Sequence, residues 1–142
     1  MHAIIFDLDG TLIDSAPDIH AAVNRVMADI RAPLFEFPQV KSFIGSGVPV
    51  LIQRVMAARD LDSADHASLV SSFLDYYEAD ATTLTRPYPN AVEALKSLQA
   101  RGHKLGICTN KPKAPTHSIL AEFALSNLFE TVIGGDTLAQ KK

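Results

Sequence analysis

The chain of 142 residues carries a single cysteine, Cys108, so no disulfide can form within it, and the cytosol is the compartment expected by default. It has no run of basic residues. With a net charge of −3, nothing in its charge pattern points to nucleic acid or to an anionic membrane surface. No apolar stretch reaches the roughly 20 residues that a membrane-spanning helix needs. The N-terminus enters an apolar strand at once, without the charged-then-apolar pattern of a leader, so none is expected. Five histidines, at positions 2, 20, 66, 103 and 117, lack a cysteine or histidine partner at zinc-ligand spacing, which argues against a zinc site. Repeats and low-complexity tracts are lacking too. What remains is ordinary for a globular chain: 47% apolar residues, enough for a core, and 20% charged.

One stretch stands out. Ala3–Phe6 is apolar and reads as a short buried strand, followed at once by Asp7, Leu8, Asp9, Gly10 and Thr11. In an extended chain, side chains two apart point to the same side, which lets Asp7 and Asp9 converge at the strand's end. Two like charges that close are costly unless a cation or a proton holds them. An apolar strand has no structural need for the pair, which marks it as a site.

Beyond it, Ser15, Pro17 and Asp18 predict a helix start, with Ser15 as N-cap and Asp18 completing a capping box. Ile19, Val23, Val26, Met27 and Ile30 then recur at helical spacing. Residues 31–38, with two prolines and no period, read as a connector, and 39–44 as one short helical turn stopped by Gly45, Ser46 and Gly47. A helix carrying Val50, Leu51, Val55 and Met56 follows, then another over 64–80 that buries Leu69, Val70, Phe73, Leu74 and Tyr77. Residues 82–89 read as a return linker. From residue 90 the rhythm changes to helix (90–100), strand (Lys104–Cys108), helix (115–123) and strand (Thr131–Ile133), the mark of a parallel sheet with crossovers. The expected fold is therefore α/β: a partial doubly wound, Rossmann-like parallel-sheet core from residues 1–14 and 87–142, with an inserted α-helical cap over 15–86.

In open parallel sheets ligands bind beyond the carboxyl ends of the strands. The polar candidates fall there: Asp7 and Asp9 after the first strand, Thr109 and Asn110 after the second, Lys141 and Lys142 in the loop after the third. Two carboxylates, a hydroxyl and an ammonium on one rim suit phosphoryl transfer. One carboxylate can attack phosphorus, and the second can protonate the leaving oxygen and later deprotonate water. Mg²⁺ prefers such hard oxygen ligands together with substrate phosphate and water. Other polar residues have blander readings. Cys108 suits a small core position, Lys41 and Arg54 are most simply surface charges, and the two glycines around Ser46 serve first as a helix stop.

The run from Asp7 to Ser15 resembles the first signature of the haloacid dehalogenase superfamily, in its phosphatase branch. Ile107, Cys108, Thr109, Asn110 and Lys111 resemble its second motif, and Gly134, Gly135 and Asp136 followed by the two lysines resemble the approach to its third. The wording around Thr109 and Gly134 is nearest that of phosphoglycolate phosphatases. The resemblance implies that Asp7 is the nucleophile, Asp9 the general acid/base, and Lys142 rather than Lys141 the lysine that orients the nucleophile. It further implies phosphate binding by Thr109, Asn110, Gly10 and Thr11, Mg²⁺ held by Asp7 and Asp9, and a substrate-facing cap loop at Gly45, Ser46 and Gly47. An aspartate at position 9 favours a phosphatase or phosphomutase over the dehalogenase branch, whose leaving group needs no such proton donor.

The activity expected is Mg²⁺-dependent hydrolysis of a small phosphomonoester, with 2-phosphoglycolate as substrate. A β-phosphoglucomutase-like isomerase and a non-catalytic fragment stand as alternatives. The core holds only three strands, and the acidic strand end that forms the family's fourth motif has no counterpart before Lys142. The expectation is an N-terminal fragment of a longer enzyme that binds Mg²⁺ weakly, turns over little and self-associates through uncovered sheet surface.

Overall fold

The computed structural model describes residues 1–142. Strand β1 (Ala3–Phe6) ends at the acidic pair, and β2 (Ile13–Asp14) follows directly. Helices α1 (Ala16–Asp29), α2 (Phe37–Phe43), α3 (Val48–Ala58) and α4 (His66–Asp80) form a block, with a turn of 3₁₀ helix at Ser63–Asp65 leading into α4. The chain returns through β3 (Arg86–Pro87) to α5 (Ala91–Ala100), β4 (Lys104–Cys108), α6 (Lys113–Glu122), a 3₁₀ turn at Ser126–Leu128, and β5 (Thr131–Ile133).

The sheet is parallel, in the order β1-β4-β5, with Ile5 opposite Gly106 and Cys108 opposite Ile133. Central β4 is the most buried strand, with Leu105, Gly106 and Ile107 inside, as a strand covered on both faces should be. Gly106 lets Ile5 lie across it; a Cβ there would stand 2.8 Å from Ile5 Cδ1. The fold is thus the α/β, Rossmann-like arrangement with a parallel sheet and accompanying helices.

The helical block is held by apolar stripes at helical spacing. Ile19, Val23, Val26 and Met27 of α1 pack with Leu69, Phe73 and Tyr77 of α4, while Leu51, Ile52, Val55 and Met56 of α3 close the other side. The two passages between block and sheet run side by side as a two-residue antiparallel ribbon, Ile13 opposite Pro87 and Asp14 opposite Arg86.

Local differences from the sequence reading have physical causes. Pro38 lies inside α2, in the first turn where its missing N–H costs nothing, so that helix starts two residues earlier than expected. Helix α6 likewise begins at Lys113, with Pro115 in its first turn. The capping box at the start of α1 does not form. Ser15 has helical backbone angles and makes no cap hydrogen bond; its hydroxyl donates instead to the stronger acceptor, the Asp9 carboxylate. Asp18 faces the return segment, where it accepts hydrogen bonds from Leu84 and Thr85.

Candidate active site

The site is built on the turn that follows β1. The Leu8 side chain is fully buried, and its carbonyl accepts from the amides of Thr11, Leu12 and Ile13, which winds the chain tightly. Gly10 completes the turn at φ +76°, a conformation that favours glycine. Anchored this way, Asp7 and Asp9 project from the carboxyl end of the sheet into one cavity.

Each carboxylate has its own ammonium. Asp7 Oδ1 accepts from the Leu8 amide at 2.8 Å, and its Oδ2 lies 2.8 Å from Lys142 Nζ. Asp9 Oδ1 accepts from Ser15 Oγ at 2.5 Å and stands 3.2 Å from Lys111 Nζ. The first pair is two-fifths exposed, with side-chain exposures of 40% and 42%, whereas Lys111 is buried. Lys111 also donates to the hydroxyl of Tyr77, a buried residue of α4. Burial alone would push the Lys111 ammonium down, but the Asp9 carboxylate and the Tyr77 phenol outweigh it and hold the group above the ordinary lysine range. Burial drives the Tyr77 phenol upward, with the neighbouring ammonium only partly opposing it, so the phenol stays neutral.

The loop after β4 supplies the opposite wall. The Thr109 amide donates to Ile133, and its hydroxyl oxygen accepts from the Lys111 amide at 3.1 Å, which leaves the hydroxyl proton free to donate. Asn110 Nδ2 donates to the Gly45 carbonyl at 3.1 Å, tying this loop to the α2–α3 loop of the helical block. Gly47 and Gly135 press on the Asn110 carbonyl from two sides; a Cβ at Gly135 would come within 2.1 Å of it.

Together these groups enclose a cavity of about 50 Å³, small beside the roughly 300–1,000 Å³ of sites for drug-sized ligands. Asp7, Asp9, Thr109, Asn110 and Lys111 line its sheet side; Ile44, Val48, Leu51, Phe73 and Tyr77 line its helical side. Of the residues singled out from the sequence, Gly45 and Gly47 reach this cavity, while Ser46 turns away toward Arg54. Asn110 places one N–H of its side-chain amide on the Gly45 carbonyl. Gly10 borders a second cavity of about 170 Å³ on the far side of Asp9, where Lys41 also lies, and Thr11 is exposed in the turn beside it. Arg54 is occupied by the Phe43 carbonyl. Lys141 Nζ stands beside Gly47, and Lys142 alone of the two terminal lysines meets Asp7.

Lys111, Tyr77 and Ser15 were not foreseen as site residues. Tyr77 carried a signal, since it is the one hydroxyl in an otherwise apolar helical stripe and a buried phenol usually finds a partner.

The family model for haloacid dehalogenase-like hydrolases matches residues 4–142. The chain belongs to that family. A phosphoglycolate phosphatase of Cereibacter sphaeroides strain ATCC 17025 is 49% identical over 144 residues, which cover 100% of this chain and 66% of that protein. One from Rhodospirillum rubrum is 42% identical over 147 residues, covering 99% and 61% respectively. The crystal structure of a predicted phosphoglycolate phosphatase from Haemophilus somnus superposes with a TM-score of 0.89 at 32% identity, over 100% of this chain and 65% of that one. The chain thus spans a little under two thirds of the length of these relatives. Among haloacid dehalogenase-like hydrolases it is similar to proteins with phosphatase names, and no helix in it is long and apolar enough to cross a membrane.

Proposed function

We propose that the chain carries the nucleophile and the acid/base of a phosphatase that hydrolyses a small phosphomonoester, with 2-phosphoglycolate as substrate. The observation that carries this reading is the pairing of Asp7 with Lys142 and of Asp9 with Lys111 across one small cavity at the sheet's carboxyl end. On this reading residues 1–14 and 87–142 form the catalytic core, and 15–86 form a cap that closes it from water, as expected of a cytoplasmic enzyme of this kind.

Asp7 attacks phosphorus, forming an aspartyl phosphate while the ester P–O bond breaks. Its orientation is held by the Leu8 amide on one oxygen and Lys142 on the other. Asp9 gives its proton to the departing oxygen, then takes one from the water that hydrolyses the intermediate. The free Thr109 hydroxyl proton and Lys142 meet the phosphoryl oxygens, where charge spreads in the transition state. Gly10, Thr11 and Asn110, on the two loops beside the carboxylates, complete the phosphate site on this reading.

Mg²⁺ suits two hard carboxylates on one strand end, and Asp7 and Asp9 would hold it. Within residues 1–142 no cluster of three or more acidic, histidine or cysteine side chains converges; substrate and water oxygens are further ligands that suit this ion. Bound there, it neutralises phosphoryl charge. We also read Ile5, 63% exposed on edge strand β1, as a contact between two copies of the chain; sedimentation independent of concentration would exclude that.

The test is release of inorganic phosphate from 2-phosphoglycolate in the presence of Mg²⁺. Asp7→Asn should abolish it, and Asp9→Asn should lower it by about 10²–10⁴-fold. Release undiminished in Asp7→Asn overturns the reading. Isomerisation of a sugar phosphate without phosphate release would point to a mutase instead.

A further inference from the structure

Resting on that reading, we propose that Lys111, held in place by Tyr77, is a specificity-determining residue that selects a phosphate ester bearing a carboxylate close to the ester oxygen.

The cavity has two ends of different chemistry. At the Asp7 end, Lys142 and the Thr109 hydroxyl serve the phosphoryl group. Asp9 on this reading meets the leaving group, and the cavity wall from the helical block is apolar at Ile44, Val48, Leu51 and Phe73. An anionic leaving group placed against that wall must find a cation, because a buried unpaired charge is costly. Lys111 is the sole cationic residue lining the cavity. Other basic residues nearby are placed elsewhere: Arg54 on the Phe43 carbonyl, Lys41 on the cavity beyond Asp9, Lys142 on Asp7, and Lys141 beside Gly47.

An ammonium has three N–H donors. Lys111 places one on the Tyr77 hydroxyl and directs another at Asp9, so the third is left for the cavity that all three residues line. Tyr77 also lies under the ammonium, 4.4 Å from ring centroid to Nζ, a second contact that holds the lysine in place. Because Tyr77 belongs to α4 and Lys111 to the β4–α6 loop, the cation is set in place only when the helical block sits on the sheet. Because Lys111 Nζ stands 3.2 Å from Asp9 Oδ1, and Asp9 on this reading meets the departing oxygen, a carboxylate that reaches the ammonium must lie close to that oxygen.

The test is binding, measured by NMR or calorimetry in EDTA so that no turnover enters, for 2-phosphoglycolate, ethyl phosphate and inorganic phosphate. The unsubstituted chain should hold 2-phosphoglycolate about tenfold or more tightly than ethyl phosphate, the gain from one charge-assisted contact. Lys111→Met should erase that preference while moving inorganic phosphate by less than about threefold. Tyr77→Phe, which keeps ring and charge, should reduce the preference by about threefold. No preference in the unsubstituted chain, or an equal loss of all three probes in folded Lys111→Met, overturns the proposal. Should Lys111→Met fail to fold, Tyr77→Phe decides: a preference unchanged from the parent overturns it. A chain that prefers 2-phosphoglycolate yet releases no phosphate with Mg²⁺ counts against the phosphatase reading and leaves the role of Lys111 standing.

Discussion

Asp18 Oδ2 accepts hydrogen bonds from both the amide and the hydroxyl of Thr85, each at 2.7 Å. The Leu84 amide adds contacts to both carboxylate oxygens, at 3.0 and 2.9 Å. Both Asp18 and Thr85 are buried, so one carboxylate clamps the first turn of α1 to the segment that returns to the sheet.

Asp18→Asn keeps the shape but replaces one acceptor oxygen with an NH₂ donor that faces other donors. Leaving buried N–H groups unpaired costs about 1–3 kcal/mol, and with three donors converging we expect the upper part of that range. Thr85→Val, which removes only the hydroxyl, should cost about 1 kcal/mol. Urea unfolding monitored by circular dichroism measures both. Equal stability of Asp18→Asn and the parent would show that the clamp does not form in solution.

The ion pair between Lys142 and Asp7 is nearly half exposed, which limits its value to folding to less than about 1 kcal/mol. Its effect falls on the metal instead. A divalent cation approaching Asp7 meets the ammonium first, and removing that like charge should favour the cation. We expect Lys142→Met to bind Mg²⁺ a few-fold more tightly than the parent by calorimetry, with no more than about 0.5 kcal/mol change in stability. Unchanged Mg²⁺ affinity would place Lys142 away from Asp7.

Much of this site could be read in the sequence, and the boundary of what could is physical. The two strands Lys104–Cys108 and Thr131–Ile133 were legible residue for residue, because each is a short apolar run cut off by turn-forming residues. Asp7 and Asp9 were legible because two charges directly after an apolar strand have no packing explanation. The ribbon of Ile13–Asp14 with Arg86–Pro87 was not, since two residues carry no alternation. Ser15 was read as a helix cap from its neighbours in sequence, whereas its partner, Asp9, is set by the fold of the turn between them. The contact between Lys111 and Tyr77 joins residues 34 apart on two elements, and only the packing of α4 over the sheet brings them together.

Lys111 and Tyr77 also give the chain a pH signature. Both groups hold their protons more tightly in the folded chain than free side chains do. Above about pH 10, where free tyrosine and lysine begin to release protons, the unfolded state therefore binds fewer protons than the folded one, and stability falls as pH rises. The contribution is fully present below that pH and is lost through the folded-state values above it. Lys111→Met leaves Asp9 without its buried cation, and we expect it to be less stable than the parent by about 3 kcal/mol at pH 8. That gap should narrow as the pH rises above about 10 and the parent loses its own advantage. Urea midpoints across this range test it; a gap constant with pH would mean that the two groups do not share a proton-holding site.

Two glycines separate two reasons for lacking a side chain. Gly102, after α5, has φ +83° with open space where a Cβ would go. Gly102→Ala should therefore cost only the left-handed backbone penalty, about 1 kcal/mol, and leave the site undisturbed. At Gly135 the backbone angle is ordinary and the space is missing: an added Cβ would stand 2.1 Å from the Asn110 carbonyl oxygen. That oxygen belongs to rigid backbone pinned by Asn110 to Gly45 and by Lys111 to the Gly135 amide, at 2.7 Å. The loop must move for the methyl group to fit, at a cost of about 1–3 kcal/mol, and it carries Thr109 and Lys111 with it. Gly135→Ala should thus lower stability by as much as or more than Gly102→Ala, and it alone should shift the amide resonances of Gly45, Thr109 and Lys111. Unmoved resonances at those three positions in Gly135→Ala would mean that the β5 loop does not set the position of the loop that carries Thr109 and Lys111.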